Sequence, residues 1–522
     1  MRRARRNTLA DLLARSAQRY PDKRALLFQS EDLTYAQFDR RVTQTCHMLI
    51  EAGISAKSRL AILSKNSLDF AVVAYASARI GATLVPINYM LTVNDVSYIV
   101  HHSDADALFA PRDLAPVLEA AFVNDGRRLA PRYILQSAEG ATIGESTWRS
   151  FRDALSYPDA PIQSTGDGAD VAQILYTSGT ESKPKGVMLT HDSIISQYVS
   201  CIVDGGMESS DITIHALPLY HSAQLNCFLG PSVYLGGSGI ILEQASPAAI
   251  LQTIEEHRAT ELFCPPTVWI ALLRHPDFEQ RDLSSLRKGY YGAAIMPREV
   301  LKELMSRLPD VQFWNFYGQT EVAPLATVLK PEDQLRKLGS AGRPALNVET
   351  RLVDDQGREV PVGAVGEIVH RTPHAMIGYL NDPARTDAAF YQGWFHSGDL
   401  GVRDEEGYIT VIDRKKDMIK SGGINIASRE VEEAIYQFPG ISEVAVIGVP
   451  DDYWIEAVTA IVVPKPGVTL LKDELEEYCR QVLAKFKVPK HFVVTDGLPR
   501  NPSGKILKRD LRELYQNLGN EM

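Results

Sequence analysis

Residues Arg59 to Asn88 read RLAILSKNSLDFAVVAYASARIGATLVPIN. Leu60-Ala61-Ile62-Leu63 is a short continuous apolar run of the kind that forms a buried strand. Ser67 to Ile80 has the length and residue types of a helix, and Ala82-Thr83-Leu84-Val85 is the next strand. A strand, a helix and a second strand in immediate succession predict a β-α-β unit, hence a parallel sheet covered by helices. The pattern recurs in Leu108-Phe109-Ala110 (strand), Ser193 to Ile202 (helix), Gly239 to Leu242 (strand) and Pro247 to His257 (helix). After about Gly339 the texture changes to short β-runs separated by turns, Glu349 to Val353, Gly366 to Val369 and Tyr408 to Ile412, which predict a small antiparallel subdomain. A charge cluster, Asp413-Arg414-Lys415-Lys416-Asp417, then leads into a compact αβ segment with the size of one small domain.

The chain has 522 residues, 45% of them hydrophobic and 23% charged, which is the composition of a globular protein with several folding units. Its net charge of −10 argues against general nucleic-acid binding. The five cysteines, Cys46, Cys201, Cys227, Cys264 and Cys479, are widely spaced with no Cys-x-x-Cys, and read as reduced thiols of a cytoplasmic protein. No apolar run approaches a membrane span, and the basic start, Met-Arg-Arg-Ala-Arg-Arg, leads into an amphipathic helix rather than a signal-peptide core.

Chemistry concentrates in Tyr176 to Gly186, which reads Tyr-Thr-Ser-Gly-Thr-Glu-Ser-Lys-Pro-Lys-Gly and directly follows the apolar run Val171 to Leu175. Hydroxyls and free backbone N–H groups can wrap phosphate oxygens, glycine lets the main chain approach, and lysine supplies charge. The stretch is not a Walker A loop, because Lys185 is followed by Gly186. A plain Ser/Gly/Pro surface loop is the competing reading. Two other signals are discounted: His101-His102-Ser103-Asp104-Ala105-Asp106 follows a helical run and is read as capping it, and Leu235-Gly236-Gly237-Ser238 lies inside the α/β region rather than on a separate carrier module.

Further local sequences follow in a fixed order: Tyr291-Gly292-Ala293-Ala294, Asn315-Phe316-Tyr317-Gly318-Gln319-Thr320-Glu321, Ser397-Gly398-Asp399-Leu400, the 413–417 cluster, Lys420-Ser421-Gly422-Gly423 and Pro502-Ser503-Gly504-Lys505. From about Asn7 to Leu514 this series resembles the acyl-adenylate-forming superfamily, and most of all bacterial fatty acyl-CoA synthetases, through Leu217 to Leu225 and Gly423 to Glu432. The resemblance implies an α/β fold with a large N-terminal AMP-binding domain, 1–412. That domain comprises two doubly wound α/β subdomains, about 1–168 and 169–338, and a small β-barrel-like subdomain, 339–412. A hinge at 413–417 and a small mobile α+β C-terminal domain, 418–522, follow.

It also implies the roles. Thr177, Ser178, Gly179, Thr180 and Lys185 hold the β- and γ-phosphates of ATP. Thr320 touches the α-phosphate, and Glu321 with Thr180 serves Mg²⁺. Tyr317 stacks on adenine beside Asn315 and Gly318, with the Gly292, Ala293 and Ala294 backbone as the other wall. Asp399 and Arg414 serve the ribose, a diol that a carboxylate can bind twice. Lys505 bridges the substrate carboxylate and the α-phosphate in the first half-reaction. Rotation at Lys416 then brings Lys420, Gly422 and Gly423 to the pantetheine arm of coenzyme A. His221 lies beside the acyl carboxylate, with Gln224, Asn226 and Tyr291 assigned to the acyl pocket. Plainer readings stand beside these: Glu321 as a helix N-terminal acid, Asp399 and Gly423 as turn residues, Lys505 as a solvated lysine, and His221 and Asn226 as buried structural groups.

The expected activity is conversion of a hydrophobic acid to an acyl-adenylate and then to its CoA thioester, an acid–thiol ligase reaction. A stand-alone adenylating enzyme that serves a carrier-protein thiol or an amine is the alternative, and a degenerate binding protein is the third possibility. Expected partners are the small-molecule acid, ATP and CoA, with a homodimer as the candidate assembly. One departure is marked: Glu181-Ser182 stand where the family's commonest loop has threonine and glycine, and a carboxylate there is repelled by a triphosphate unless it faces away.

Overall fold

The computed structural model of the protein describes residues 5–122, 131–136, 148–177, 183–294, 296–422, 424–451, 453–500, 506–516 and 518. Its contacts divide the chain into two units, Met1–Thr350 with His370–Phe395, and Arg351–Val369 with His396–Met522. The expected boundary at 412/413 falls inside the second unit.

The opening stretch folds as read. Strand Arg59–Leu63 leads into helix Leu68–Ile80 and then strand Thr83–Ile87, paired in parallel from Arg59↔Thr83 to Leu63↔Ile87. The Ser67 hydroxyl accepts from Phe70 N–H to start the helix, and Gly81, in the left-handed region, ends it. The reason for an unbroken apolar run is visible in the burial. Leu60 and Ile62 enter one core cluster while Ala61 and Leu63 enter another, so the strand is covered on both faces.

Two large sheets built on this plan fill the first unit. One has eight strands in the order Gly378–Tyr379, Lys185–Thr190, Val171–Thr177, Thr83–Ile87, Arg59–Leu63, Ala107–Pro111, Arg132–Leu135, Trp148–Ser150. The other has nine, with a parallel centre of Arg24–Phe28, Ser238–Ile241, Ile212–His215, Glu261–Phe263, Lys288–Gly292 and Gln312–Gly318, closed by antiparallel edges. In the nine-stranded sheet the chain leaves Ile212–His215 for a neighbour on one side and leaves Glu261–Phe263 for a neighbour on the other. Loops at the carboxyl ends of strands that diverge in this way line a crevice, the usual ligand position in open α/β sheets.

The second unit carries antiparallel strands in the 349–414 region and a separate sheet of Ile424–Ile426, Ile419–Ser421, Ile455–Pro464, Ile441–Asp451 and His491–Val494. Alternation again divides the long hairpin. Val446, Val458 and Val462 pack with helices Ser428–Tyr436 and Lys472–Val482 on one face, and Ala445, Ile447 and Ile461 pack with Leu511 of helix Lys508–Tyr515 on the other. The 413–417 stretch is held within this unit. Asp413 accepts from the Ser428 amide and hydroxyl, both at 2.7 Å, Lys415 pairs with Asp355 at 2.9 Å, and Arg512 pairs with Asp417 at 2.8 Å. All five cysteines are free and buried. No helix among the described residues is long and apolar enough to cross a membrane.

Candidate active site

The first-unit candidates gather where the parallel strands of the nine-stranded sheet end. His221 follows strand Ile212–His215, Gly292, Ala293 and Ala294 follow or end strand Lys288–Gly292, and Gly318, Thr320 and Glu321 end or follow strand Gln312–Gly318. Two of these segments touch, with Ser222 Oγ and Thr320 Oγ1 3.1 Å apart. Gly318 cannot carry a side chain, because an added Cβ would stand 1.8 Å from Pro324 O. That closeness folds Gln319–Pro324 back on the strand and turns Thr320 and Glu321 outward, both half-buried.

Glu321 is held from two directions. Its carbonyl accepts from Met376 N–H at 2.8 Å, and its carboxylate accepts from the Tyr379 hydroxyl at 3.0 Å. Burial and the Glu321 charge keep that phenol protonated by raising its pKa. Lys185 Nζ lies 5.3 Å from the Tyr379 ring centre. Tyr379 and Glu321 are 58 residues apart in sequence, and nothing in the local composition of either marks the pair. Thr177 pairs with Lys185 across the base of the phosphate-type loop. Ser178, Gly179, Thr180, Glu181 and Ser182 lie outside the described residues.

Tyr317 is half-buried beside His370, with the ring centres 6.4 Å apart, and the Asn315 amide donates to Ser340 O at 3.1 Å. Ala293 takes a φ of 62°, which presents the Gly292–Ala294 backbone as a tight turn with both alanines exposed.

On the acid side, His221 caps a short helical turn, Ser222–Gln224, with Nδ1 accepting from Ala223 N–H at 3.3 Å. Burial depresses its pKa, so the ring stays neutral and keeps that acceptor. The following helix is not regular. Leu225–Leu229 form a π-turn closed by Gly230 N–H to Leu225 O, a feature often found beside functional sites.

Gln224 and Asn226 are fully buried, and their amides are engaged inside the protein. Gln224 donates to His215 Nδ1 at 3.0 Å and accepts from Leu217 N–H at 3.2 Å. Asn226 and Gln173 exchange hydrogen bonds of 2.9 and 3.2 Å. Tyr291 is also buried, donating to Gln334 Oε1 at 2.6 Å. Among the described residues, half-buried Leu217 and Ala223, with Leu235, rest on a buried cluster containing Phe228, Phe263, Tyr290 and Phe316. Phe228 and Phe263 stack at 4.5 Å.

The second unit holds its own candidates. The buried Asp399 pairs with Arg414 Nε at 3.1 Å across adjacent antiparallel strands. Lys420 is exposed on strand Ile419–Ser421, its N–H donating to Glu456 Oε2 at 2.6 Å. Gly422 has a φ of 57°, and an added Cβ would meet the Trp454 ring at 3.0 Å, so only glycine fits the turn. Lys416 is exposed. Gly423 and Lys505 lie outside the described residues.

Comparison with known proteins identifies the family. Residues 13–380 match the AMP-binding enzyme family and residues 430–505 match the AMP-binding enzyme C-terminal domain. Feruloyl-CoA synthase of Amycolatopsis sp is 36% identical over 96% of this chain and 98% of its own. Long-chain-fatty-acid–CoA ligase FadD13 of Mycobacterium tuberculosis is 34% identical over 92% and 93% respectively. ATP-bound MatB from Rhodopseudomonas palustris has the same fold, with a TM-score of 0.89 and 30% identity over 98% of this chain and 99% of its own. With its nucleotide-type motifs at the strand ends and the family match spanning both units, the chain belongs to the AMP-binding enzymes and is an acid–thiol ligase of the acyl-adenylate-forming superfamily.

Proposed function

We propose that the protein activates a hydrophobic carboxylic acid with ATP and passes the acyl group to coenzyme A in the cytoplasm. The observation that carries the reading is the 3.1 Å contact between Ser222 and Thr320. It sets His221 beside the Tyr317–Glu321 segment, with apolar Leu217 and Ala223 on the same side. An acid whose carboxylate faces Thr320 would lay its apolar part on that wall. The feruloyl and long-chain relatives are named for acids with large apolar portions, which supports the substrate class.

In the first half-reaction a carboxylate oxygen attacks the α-phosphorus and pyrophosphate leaves. The protein's contribution is position and charge. Thr177 and Lys185 at the loop base, with the 178–180 residues, hold the β- and γ-phosphates. Thr320 binds the α-phosphate, and Lys505 neutralises the charge that builds between carboxylate and phosphate. Tyr317 and Asn315 hold adenine, and Asp399 and Arg414 hold the ribose. Glu321, a hard oxygen donor already oriented by Tyr379, suits Mg²⁺, which is commonly held by one or two carboxylates together with substrate phosphates. When bound, the ion supplies charge neutralisation on the phosphates. In the second half-reaction the thiolate of coenzyme A attacks the acyl carbonyl and AMP leaves. Lys420 and the Gly422-Gly423 turn then serve the pantetheine arm after a change of φ/ψ near Lys416.

An acid panel scored for pyrophosphate release with and without CoA tests the reading. Aryl-propenoic and medium- to long-chain fatty acids should give release, and CoA should accelerate AMP formation. If AMP formation responds only to a carrier-protein thiol or an amine, the acceptor is not CoA. If no acid gives release, the activation reading fails.

A further inference from the structure

His101 and His102, set aside as helix-capping residues, divide in role. His101 turns back on its own helix: its Nδ1 lies 2.6 Å from Ser97 O, one turn back in helix Val93–His102, which Ser103 caps. His102 instead reaches the phosphate-type loop, with Nδ1 2.8 Å from the Tyr176 hydroxyl. Tyr176 is the residue before Thr177, at the point where the strand becomes the loop. One turn earlier on the same helix, Tyr98 stacks on His102 with ring centres 5.1 Å apart and an interplanar angle of 18°. Lys183, on the far side of the loop, places its ammonium 5.1 Å from the Tyr98 ring centre. The His102 carbonyl is tied in turn by Asn381 Nδ2 at 3.4 Å. Residues on both sides of the loop therefore rest on two neighbouring rings of one helix.

We infer that His102 is a positioning residue for ATP, fixing the residues that flank the loop through Tyr176 on one side and, with Tyr98, through Lys183 on the other. Burial first, and the nearby Arg59 and Lys183 charges after it, outweigh the attraction of Asp382 and depress the His102 pKa. The uncharged imidazole adds no repulsion to Lys183, which lies over the neighbouring Tyr98 ring. Tyr176 stands opposite Gly186, next to the Thr177–Lys185 pair, so holding it places two residues assigned to the phosphates before ATP arrives, and the anchor acts on ATP affinity. It lies on the nucleotide side of the site and acts on neither the acid nor the thiol transfer.

This inference rests on the reading of the loop as an ATP site, and one experiment separates the two. His102→Phe keeps the stacked ring and removes the hydrogen bond. It should raise the KM for ATP about tenfold in acid-dependent pyrophosphate exchange, the worth of one well-placed hydrogen bond. The KM for the acid and the rate of thioester formation from supplied acyl-adenylate and CoA should stay within about twofold. His102→Asn, which returns a short polar group, should recover most of the loss. Tyr176→Phe should match His102→Phe, and the double variant should be no worse than either, since one interaction is lost in each. Normal exchange in the wild type with an unchanged ATP KM in both single variants, or additive losses in the double variant, overturns the anchor alone. No acid-dependent exchange in the wild type overturns the ATP reading with it.

Discussion

The Tyr379 hydroxyl donates a 3.0 Å hydrogen bond to Glu321 Oε1, and the face of the same ring receives Lys185. One aromatic side chain thus serves an acid assigned to Mg²⁺ and a lysine assigned to phosphate. Tyr379→Phe keeps the face and removes the hydroxyl. The Mg²⁺ concentration for half-maximal pyrophosphate release should rise about tenfold, in line with one hydrogen bond to a charged group. Mg²⁺ titrations that superimpose on the wild type would show that Tyr379 does not orient the carboxylate.

The division of labour between the lysines makes a second prediction. Lys505→Ala should reduce adenylate formation by about a hundredfold or more, as losing a preorganised charge at a reacting group does, while sparing thioester formation from supplied acyl-adenylate. Lys420→Ala should show the opposite bias. Single-turnover measurement of each half-reaction checks both, and equal losses in both halves would count against two successive conformations.

Four buried histidines should weaken the fold in acid. Burial depresses His191 and His374 to about 4 and His215 and His370 to about 3, from an ordinary 6.5. Below pH 6.5 the unfolded chain takes up protons that the folded protein refuses. Their stability contribution is therefore fully present above pH 6.5 and is lost as pH falls toward 3–4. The urea midpoint should drop steadily between pH 6.5 and 4.5 at constant ionic strength. A flat or rising midpoint over that interval would contradict the assignment of neutral buried rings.

Ile455 sits at φ 70° with 67% of its surface exposed, beside the Gly422 turn and paired with Ser421 and Asp451. A β-branched residue is strained in that region, and little burial compensates. Ile455→Gly should stabilise the second unit by about 1 kcal/mol, strain relief outweighing the added freedom of the unfolded chain. Chemical denaturation followed by tryptophan fluorescence reads this. A destabilised variant would mean that Ile455 makes an interaction worth more than its strain.

What the sequence made legible follows from how local each signal is. Strand Arg59–Leu63 and helix Leu68–Ile80 could be read because two-sided burial demands an unbroken apolar run and because Ser67 and Gly81 punctuate the helix. The order of the motifs gave the family. The π-turn at Leu225–Leu229 was hidden, since its residues suit an ordinary helix and only packing selects the wider turn. Gln224, Asn226 and Tyr291 were assigned to the acyl pocket by the family resemblance, and for Asn226 also because it is a polar interruption of an apolar stretch. Their partners, His215, Gln173 and Gln334, lie 9, 53 and 43 residues away and were invisible without the fold. Tyr379 went unnoticed, and His102 was read only as part of a helix cap, for the same reason.

The reciprocal amide pair of Gln173 and Asn226 reaches beyond satisfying two buried groups. Gln173 belongs to the strand that ends at the phosphate-type loop, and Asn226 to the π-turn behind His221. The pair is a strut between the nucleotide side and the acid side of the first unit. Ordering one end limits the motion of the other, so the first ligand to arrive spares the second part of its ordering entropy. ATP and acid should consequently bind with mutual synergy, and linkage requires that each tighten the other by the same factor.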